Sequence, residues 1–175
     1  EYRIDYEDLE QKLSDPQTSM LILCNPHNPV GKIWDRRTLE RIGELCYRHH
    51  VLVLSDEIHC DITRPGTEYV PFASVSGHCK YNSITCVAPT KTFNLAGIQT
   101  AAVIVPDETL RHRVNRGLNT DEVAEPNVFA AIAPIAAFGQ GGEWLEELRA
   151  YLWENRKTAE DFIRTELPGL ITVSA

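Results

Sequence analysis

The chain has 175 residues, enough for one domain with a sizeable core, and its 43% hydrophobic and 24% charged content excludes a disordered or fibrous class. A net charge of −8 without a lysine/arginine cluster argues against nucleic acid or an anionic membrane surface as partner. No apolar run reaches the roughly 18–20 residues of a transmembrane helix, and no basic-then-apolar targeting segment is present.

Taken in chain order, Asp5 is placed to cap a short helix over residues 6–14. Met20-Leu21-Ile22-Leu23-Cys24 is a continuous apolar run, as expected of a strand buried on both faces. A turn rich in proline, asparagine and glycine follows, to Gly31. Asp35 then opens a helix to about His50, with apolar positions at Leu39, Ile42, Leu45 and Cys46. His49-His50 at its end reads as a solvated pair or a partner of the helix dipole rather than a metal site. Val51-Leu52-Val53-Leu54 is a second strand, Ser83-Ile84-Thr85-Cys86-Val87 a third, and Ala101-Ala102-Val103-Ile104-Val105 a fourth, ended by Pro106. Helices follow over about 107–119, 126–139 and 143–166, the last closed by Leu167-Pro168-Gly169. Strand–helix–strand order with apolar strands predicts an α/β fold, a mainly parallel sheet covered by helices. The first residue, Glu1, stands inside a strand-turn-helix pattern, and Ala175 follows a strand-like Leu170-Ile171-Thr172-Val173, so the domain is expected to be incomplete at both ends. The five cysteines form no CxxC pair and no zinc-finger spacing, which reads as reduced thiols of a cytoplasmic protein, without a metal.

In open α/β sheets, ligands bind beyond the carboxyl ends of the strands, where loops and helix N-termini converge. Three segments fall there. Asn25-Pro26-His27-Asn28-Pro29-Val30-Gly31 follows the first strand, Ser55-Asp56-Glu57-Ile58-His59 the second, and Thr90-Lys91-Thr92-Phe93 the third. Each has a plain alternative: the first could be only a turn, Asp56 could cap a following helix, and His27 and His59 could be structural. Lys91 could be a solvated lysine. It is one of only five in the chain, however, and a lysine withdrawn from water becomes nucleophilic at neutral pH.

Together and in this order, the three segments resemble the class I/II aminotransferase superfamily of fold-type-I pyridoxal 5′-phosphate (PLP) enzymes, over essentially the whole chain. The stretches Cys24–Gly31, Ser55–Asp61 and Thr90–Gly97 look most like its cystathionine β-lyase (C–S lyase) branch. Ordinary aminotransferases of the group usually have tyrosine where this chain has His59, and often glycine where it has Asn94. The resemblance implies that residues 1–166 form most of a PLP-binding large domain and that 167–175 begin, or lead to, a C-terminal small domain. It implies PLP held by Lys91 as a Schiff base, with the freed amine then removing the substrate Cα proton. It further implies Asp56 against the pyridinium nitrogen, Asn28 and His59 at the phenolic oxygen, and Thr90 at the phosphate. A cis peptide bond in the Asn28-Pro29 turn, an amino-acid substrate and a homodimer complete what it implies.

The chain departs from the family pattern at Gln99, where many relatives have a phosphate-binding arginine, and at Ala88, where a serine is common. The family's glycine-rich phosphate loop, its stacking aromatic ring and its substrate-carboxylate arginine have no match in the chain. The first functional expectation is β-elimination on a sulfur amino acid such as cystathionine. An aminotransferase with the same cofactor is the alternative, and a regulatory domain that kept the fold without the chemistry is a third.

Overall fold

The computed structural model describes residues 2–172. Its helices are α1 (Tyr6–Leu13), α2 (Arg36–Arg48), α3 (Gly77–Tyr81), α4 (Pro89–Thr92), α5 (Glu108–Thr120), α6 (Phe129–Gln140) and α7 (Gly142–Glu166). Its strands are β1 (Met20–Cys24), β2 (Leu52–Asp56), β3 (Ser83–Val87) and β4 (Ala102–Ile104). They form one sheet in the order β1-β2-β3-β4, with β1, β2 and β3 parallel and β4 antiparallel to β3. The mainly parallel α/β sheet expected from the strand–helix alternation is therefore present.

The helix starts follow from side-chain chemistry. Asp5 accepts from the backbone N–H groups of Glu7 and Asp8, both at 3.1 Å, and Asp35 accepts from Thr38 N–H at 2.7 Å. That bond satisfies an otherwise orphaned donor and pulls the Asp35 carboxyl below its ordinary pKa.

Alternation along the strands sorts their side chains onto two faces. Leu21, Leu23 and Val53 face the apolar core made with Leu13 of α1, Leu39, Ile42, Leu45 and Cys46 of α2, Phe72, and Cys79 of α3. The other face is different. Ile22 is 66% and Met20 43% exposed, so among the described residues only one face of β1 is covered. A continuous apolar run reports only that both faces can be covered; within the described residues, helices α1 to α3 cover one of them. Likewise Phe129, Ile132, Ile135 and Phe138 of α6 are exposed. Residues 170–172 form no strand, and Val173 lies outside the described residues.

Gly43 decides how closely α2 approaches α3. A Cβ built there would overlap Cys79 Sγ and crowd the Phe72 ring at 3.3 Å, and both neighbours are fully buried. Gly43→Ala is therefore expected to destabilise the protein by about 1–3 kcal/mol, the usual range for overpacking. Thermal denaturation of the single variant and of Gly43→Ala/Cys79→Ala checks it: the second change, which removes the obstructing sulfur, should restore part of the loss. Additive losses would show that the contact is not the cause.

Candidate active site

Register places the acid of the site. Cys24 of β1 pairs with Asp56 of β2, and Asp56 with Cys86 of β3, so these three residues form a row across the carboxyl ends of the parallel strands. In-register neighbours in a parallel sheet point to the same side, here the face opposite the apolar core. Asp56 is half-buried. One carboxylate oxygen accepts from Ile58 N–H at 3.2 Å, which closes a turn rather than capping a helix. The second oxygen takes no hydrogen bond from the described residues. The two flanking thiols are pushed up in pKa, first by burial and then by the Asp56 charge, so they stay protonated beside it.

The turn after β1 carries Asn28, exposed, with both the Asn25–Pro26 and Asn28–Pro29 bonds cis. Its base is anchored from far away in sequence. Asn25 is fully buried, its side-chain oxygen accepts from Trp34 N–H at 3.0 Å, and its carbonyl accepts from the Tyr69 hydroxyl at 2.7 Å. Tyr69 in turn meets Glu57, whose carboxyl is 2% exposed and accepts from the Ser55 hydroxyl at 2.9 Å and Phe72 N–H at 3.0 Å. Neither Tyr69 nor this role for Glu57 was legible in the sequence: Tyr69 stands 44 residues from Asn25, and nothing local marks the pair.

Burial is the largest influence on the Glu57 carboxyl and raises its pKa; the three hydrogen bonds lower it by less. A group whose pKa is raised on folding favours the native state below the unfolded value and loses that contribution as pH rises through the folded value. Glu57→Gln keeps an oxygen for Ser55 and Phe72 and adds an N–H toward Tyr69, without a charge. The variant is expected to gain stability relative to the wild type as pH rises from the ordinary glutamate range, about 4.3, toward neutrality. Urea denaturation of both proteins at acidic and neutral pH measures this, and a difference that does not change with pH would refute it.

The loop after β2 places His59, half-buried, and Asp61. Asp61 ties three elements together. Its carboxylate accepts from the buried Thr92 hydroxyl of α4 at 3.1 Å, and its carbonyl from Arg149 Nε of α7 at 2.7 Å. Helix α4 thus sits fixed at the end of β3, carrying Thr90, half-buried, and Lys91, exposed. The expectation of a lysine withdrawn from water does not hold within the described residues: Lys91 is exposed on a short helix. Phe93 behind it packs on Phe138 and Trp144, both at 5.6 Å between ring centroids, which seats α6 and α7 against α4. Asn94 has φ +54°, a left-handed conformation for which asparagine and glycine are the usual residues, so the interchange of these two residues at this position has a backbone reason. Gln99 is exposed at φ +52°, and Ala88 is buried.

Asn28, Asp56 and Lys91 therefore follow or end three adjacent strands at one edge of the sheet. Asn28 and His59 line a common cleft of about 670 Å³; Asp56, Thr90 and Lys91 lie outside its lining. The side chains present suit a planar, anionic cofactor with a ring nitrogen: the Asp56 carboxylate with one oxygen free of hydrogen bonds among the described residues, the exposed amine of Lys91, and the amide of Asn28 and imidazole of His59 that share a cleft.

Comparison with known proteins identifies relatives of the sequence and of the fold. The sequence pattern of the family described as aminotransferase class I and II matches residues 1–172. Cystathionine beta-lyase PatB of Bacillus subtilis is 49% identical over 167 residues, which are 95% of this chain and 43% of that protein. Among solved structures, cystalysin of Treponema denticola, which contains PLP, superposes with a TM-score of 0.93 at 29% identity, over 97% of this chain and 43% of the other. The PLP-bound C-S lyase of Staphylococcus hominis gives 0.86 at 33% identity, over 96% and 42%. The chain thus spans less than half the length of these relatives.

Proposed function

Because the chain belongs to the aminotransferase class I and II family, we propose that the whole protein is a PLP-dependent carbon–sulfur lyase that acts by β-elimination on a sulfur amino acid such as cystathionine. The observation that carries this reading is the placement of Asn28, Asp56 and Lys91 at the carboxyl ends of three adjacent strands. The 49% identity to a cystathionine beta-lyase supports the lyase branch. Residues 1–166 belong to the cofactor-binding large domain in this reading, and 167–175 begin the connection to a small domain. The protein is a homodimer of the cytoplasm, a proposal consistent with its unpaired cysteines and with the absence, among the described residues, of a helix long and apolar enough to cross a membrane.

Bound PLP supplies an electron sink for the pair left on the substrate Cα when its proton departs. The Lys91 amine would hold the cofactor and, when free, would be the base that takes that proton. The free oxygen of Asp56 would accept from the ring nitrogen and favour its protonated form. Asn28 would donate its side-chain N–H to the phenolic oxygen, with His59 as a second polar group there, and the Thr90 hydroxyl would donate to the phosphate. Breaking the substrate's Cβ–S bond would leave the electron pair on sulfur, which would depart as a thiolate and gain a proton to become the thiol. Water completes the balance, giving pyruvate and ammonia.

A transaminase would use the same residues, and the family description favours it as the second reading. Pyruvate release from cystathionine by the whole protein without any added keto acid tests the two. Release supports the lyase; strict dependence on a keto acid replaces it with the transaminase.

A further inference from the structure

The two groups on which the proposed chemistry depends, the Lys91 amine and the Asp56 carboxylate, come from different segments. Lys91 stands on α4, which has four residues and no side-chain cap at its start. A single helical turn has no stability of its own, so its place is set by what holds it. The packing of Phe93 on Phe138 and Trp144 holds it without fixing a direction. A hydrogen bond does fix one, and among the described residues a single side-chain hydrogen bond ties α4 to another element. The Thr92 hydroxyl donates to the Asp61 carboxylate at 3.1 Å. Thr92 is 1% exposed, so that hydroxyl is shielded from solvent and relies on the carboxylate. Asp61 is linked back to Asp56 by consecutive turns. Ile58 N–H donates to the Asp56 carboxylate at 3.2 Å, Cys60 N–H to the Glu57 carbonyl at 2.9 Å, and Ile62 N–H to the His59 carbonyl at 3.0 Å. Arg149 Nε of α7 secures the Asp61 carbonyl at 2.7 Å. The bond thus bridges the segment that begins at Asp56 and the helix that carries Lys91.

We infer that Asp61 and Thr92 are positioning residues of the site: their hydrogen bond fixes the Lys91 helix against the segment that begins at Asp56. The inference rests on the PLP reading of the site, and its test separates the two. The whole protein is freed of PLP, mixed with it again and quenched with borohydride at intervals, and the pyridoxyl group on Lys91 is measured by peptide mass mapping. Thr92→Val keeps the side-chain shape without the donor and should slow this attachment about tenfold, the scale of one hydrogen bond to a charged group. Thr92→Ser keeps the hydroxyl and should restore the wild-type rate. Asp61→Ala should match Thr92→Val, and the double variant should be no slower than either, because all three lose the same bond. If Asp61→Ala loses the circular dichroism of the wild type, Asp61→Asn takes its place; it keeps an acceptor oxygen and should fall between wild type and Thr92→Val. In the PLP-loaded variants, kcat for pyruvate release from cystathionine should fall about tenfold with KM within about twofold, since the groups that bind substrate are untouched. A wild-type attachment rate in Thr92→Val, losses that multiply in the double variant, or no rescue by Thr92→Ser would each overturn the inference while the PLP reading stands. The expected attachment rates without pyruvate from the wild type would keep the bridge and remove the lyase reading. No adduct on wild-type Lys91 would remove the PLP reading and the inference with it.

Discussion

Replacing Lys91 by alanine in the whole, PLP-loaded protein is expected to lower kcat for β-elimination by about 10²–10⁴-fold, the contribution of a positioned general base. The local structure makes this a clean test. Lys91 is exposed and makes no side-chain hydrogen bond or ion pair among the described residues, whereas its neighbour Thr92 is buried and bonded to Asp61. Truncating the lysine therefore removes the amine and leaves α4 where it is. Lys91→Arg separates the two things a lysine provides. The guanidinium keeps the positive charge but does not lose its proton near neutral pH, so it neither condenses with the cofactor nor accepts the Cα proton. Both variants should fail alike, with the far-ultraviolet circular dichroism of the wild type. Borohydride reduction followed by peptide mass mapping gives the second readout: a pyridoxyl group on Lys91 of the wild type. An adduct on one of the other lysines, or near-normal turnover by Lys91→Ala, would remove Lys91 from its role.

Asp56→Asn is the second large effect, expected to lower kcat by about 10²–10³-fold, the scale of losing one preorganised electrostatic partner. Asparagine keeps a side-chain oxygen to accept from Ile58 N–H, so the turn after β2 and the strand pairing should survive. What disappears is the negative charge on the site face, flanked by the protonated thiols of Cys24 and Cys86. Without it the ring nitrogen of the cofactor loses the partner that keeps its proton, and the Cα proton becomes harder to remove. The cofactor's absorbance should change between the two proteins while the far-ultraviolet circular dichroism does not. A variant with wild-type turnover and spectrum would show that Asp56 is only the turn residue its hydrogen bond to Ile58 makes it.

Much of this molecule is legible one segment at a time. Ser83–Val87 forms β3 over the residues that the apolar, β-branched run marked out, and Asp5 and Asp35 cap the helices they precede. These features depend on neighbours a few residues away, where propensity and capping act. The order of the three loops also places the candidate chemistry, since a parallel sheet puts every βα loop at the same edge. The β1 run shows where such reading stops: apolar composition states what can be buried, while exposure of Ile22 and Met20 depends on what lies across the sheet.

The sequence by itself therefore determined the alternation of strands and helices, the family resemblance, and the identity of Asn28, Asp56, His59, Thr90 and Lys91 as the residues to examine. Only the tertiary structure decided that Asp56 sits in register between two thiols, that Tyr69 and Glu57 anchor the Asn25 turn from beneath, and that Asp61 is bonded to Thr92 beside Lys91. The physical reason is range. Caps, turns and hydrophobic periods arise from interactions within one or two turns of chain. Strand register, a buried hydrogen-bond chain and a hydroxyl bonded to a carboxylate of another loop arise from contacts between remote segments, which no local pattern specifies.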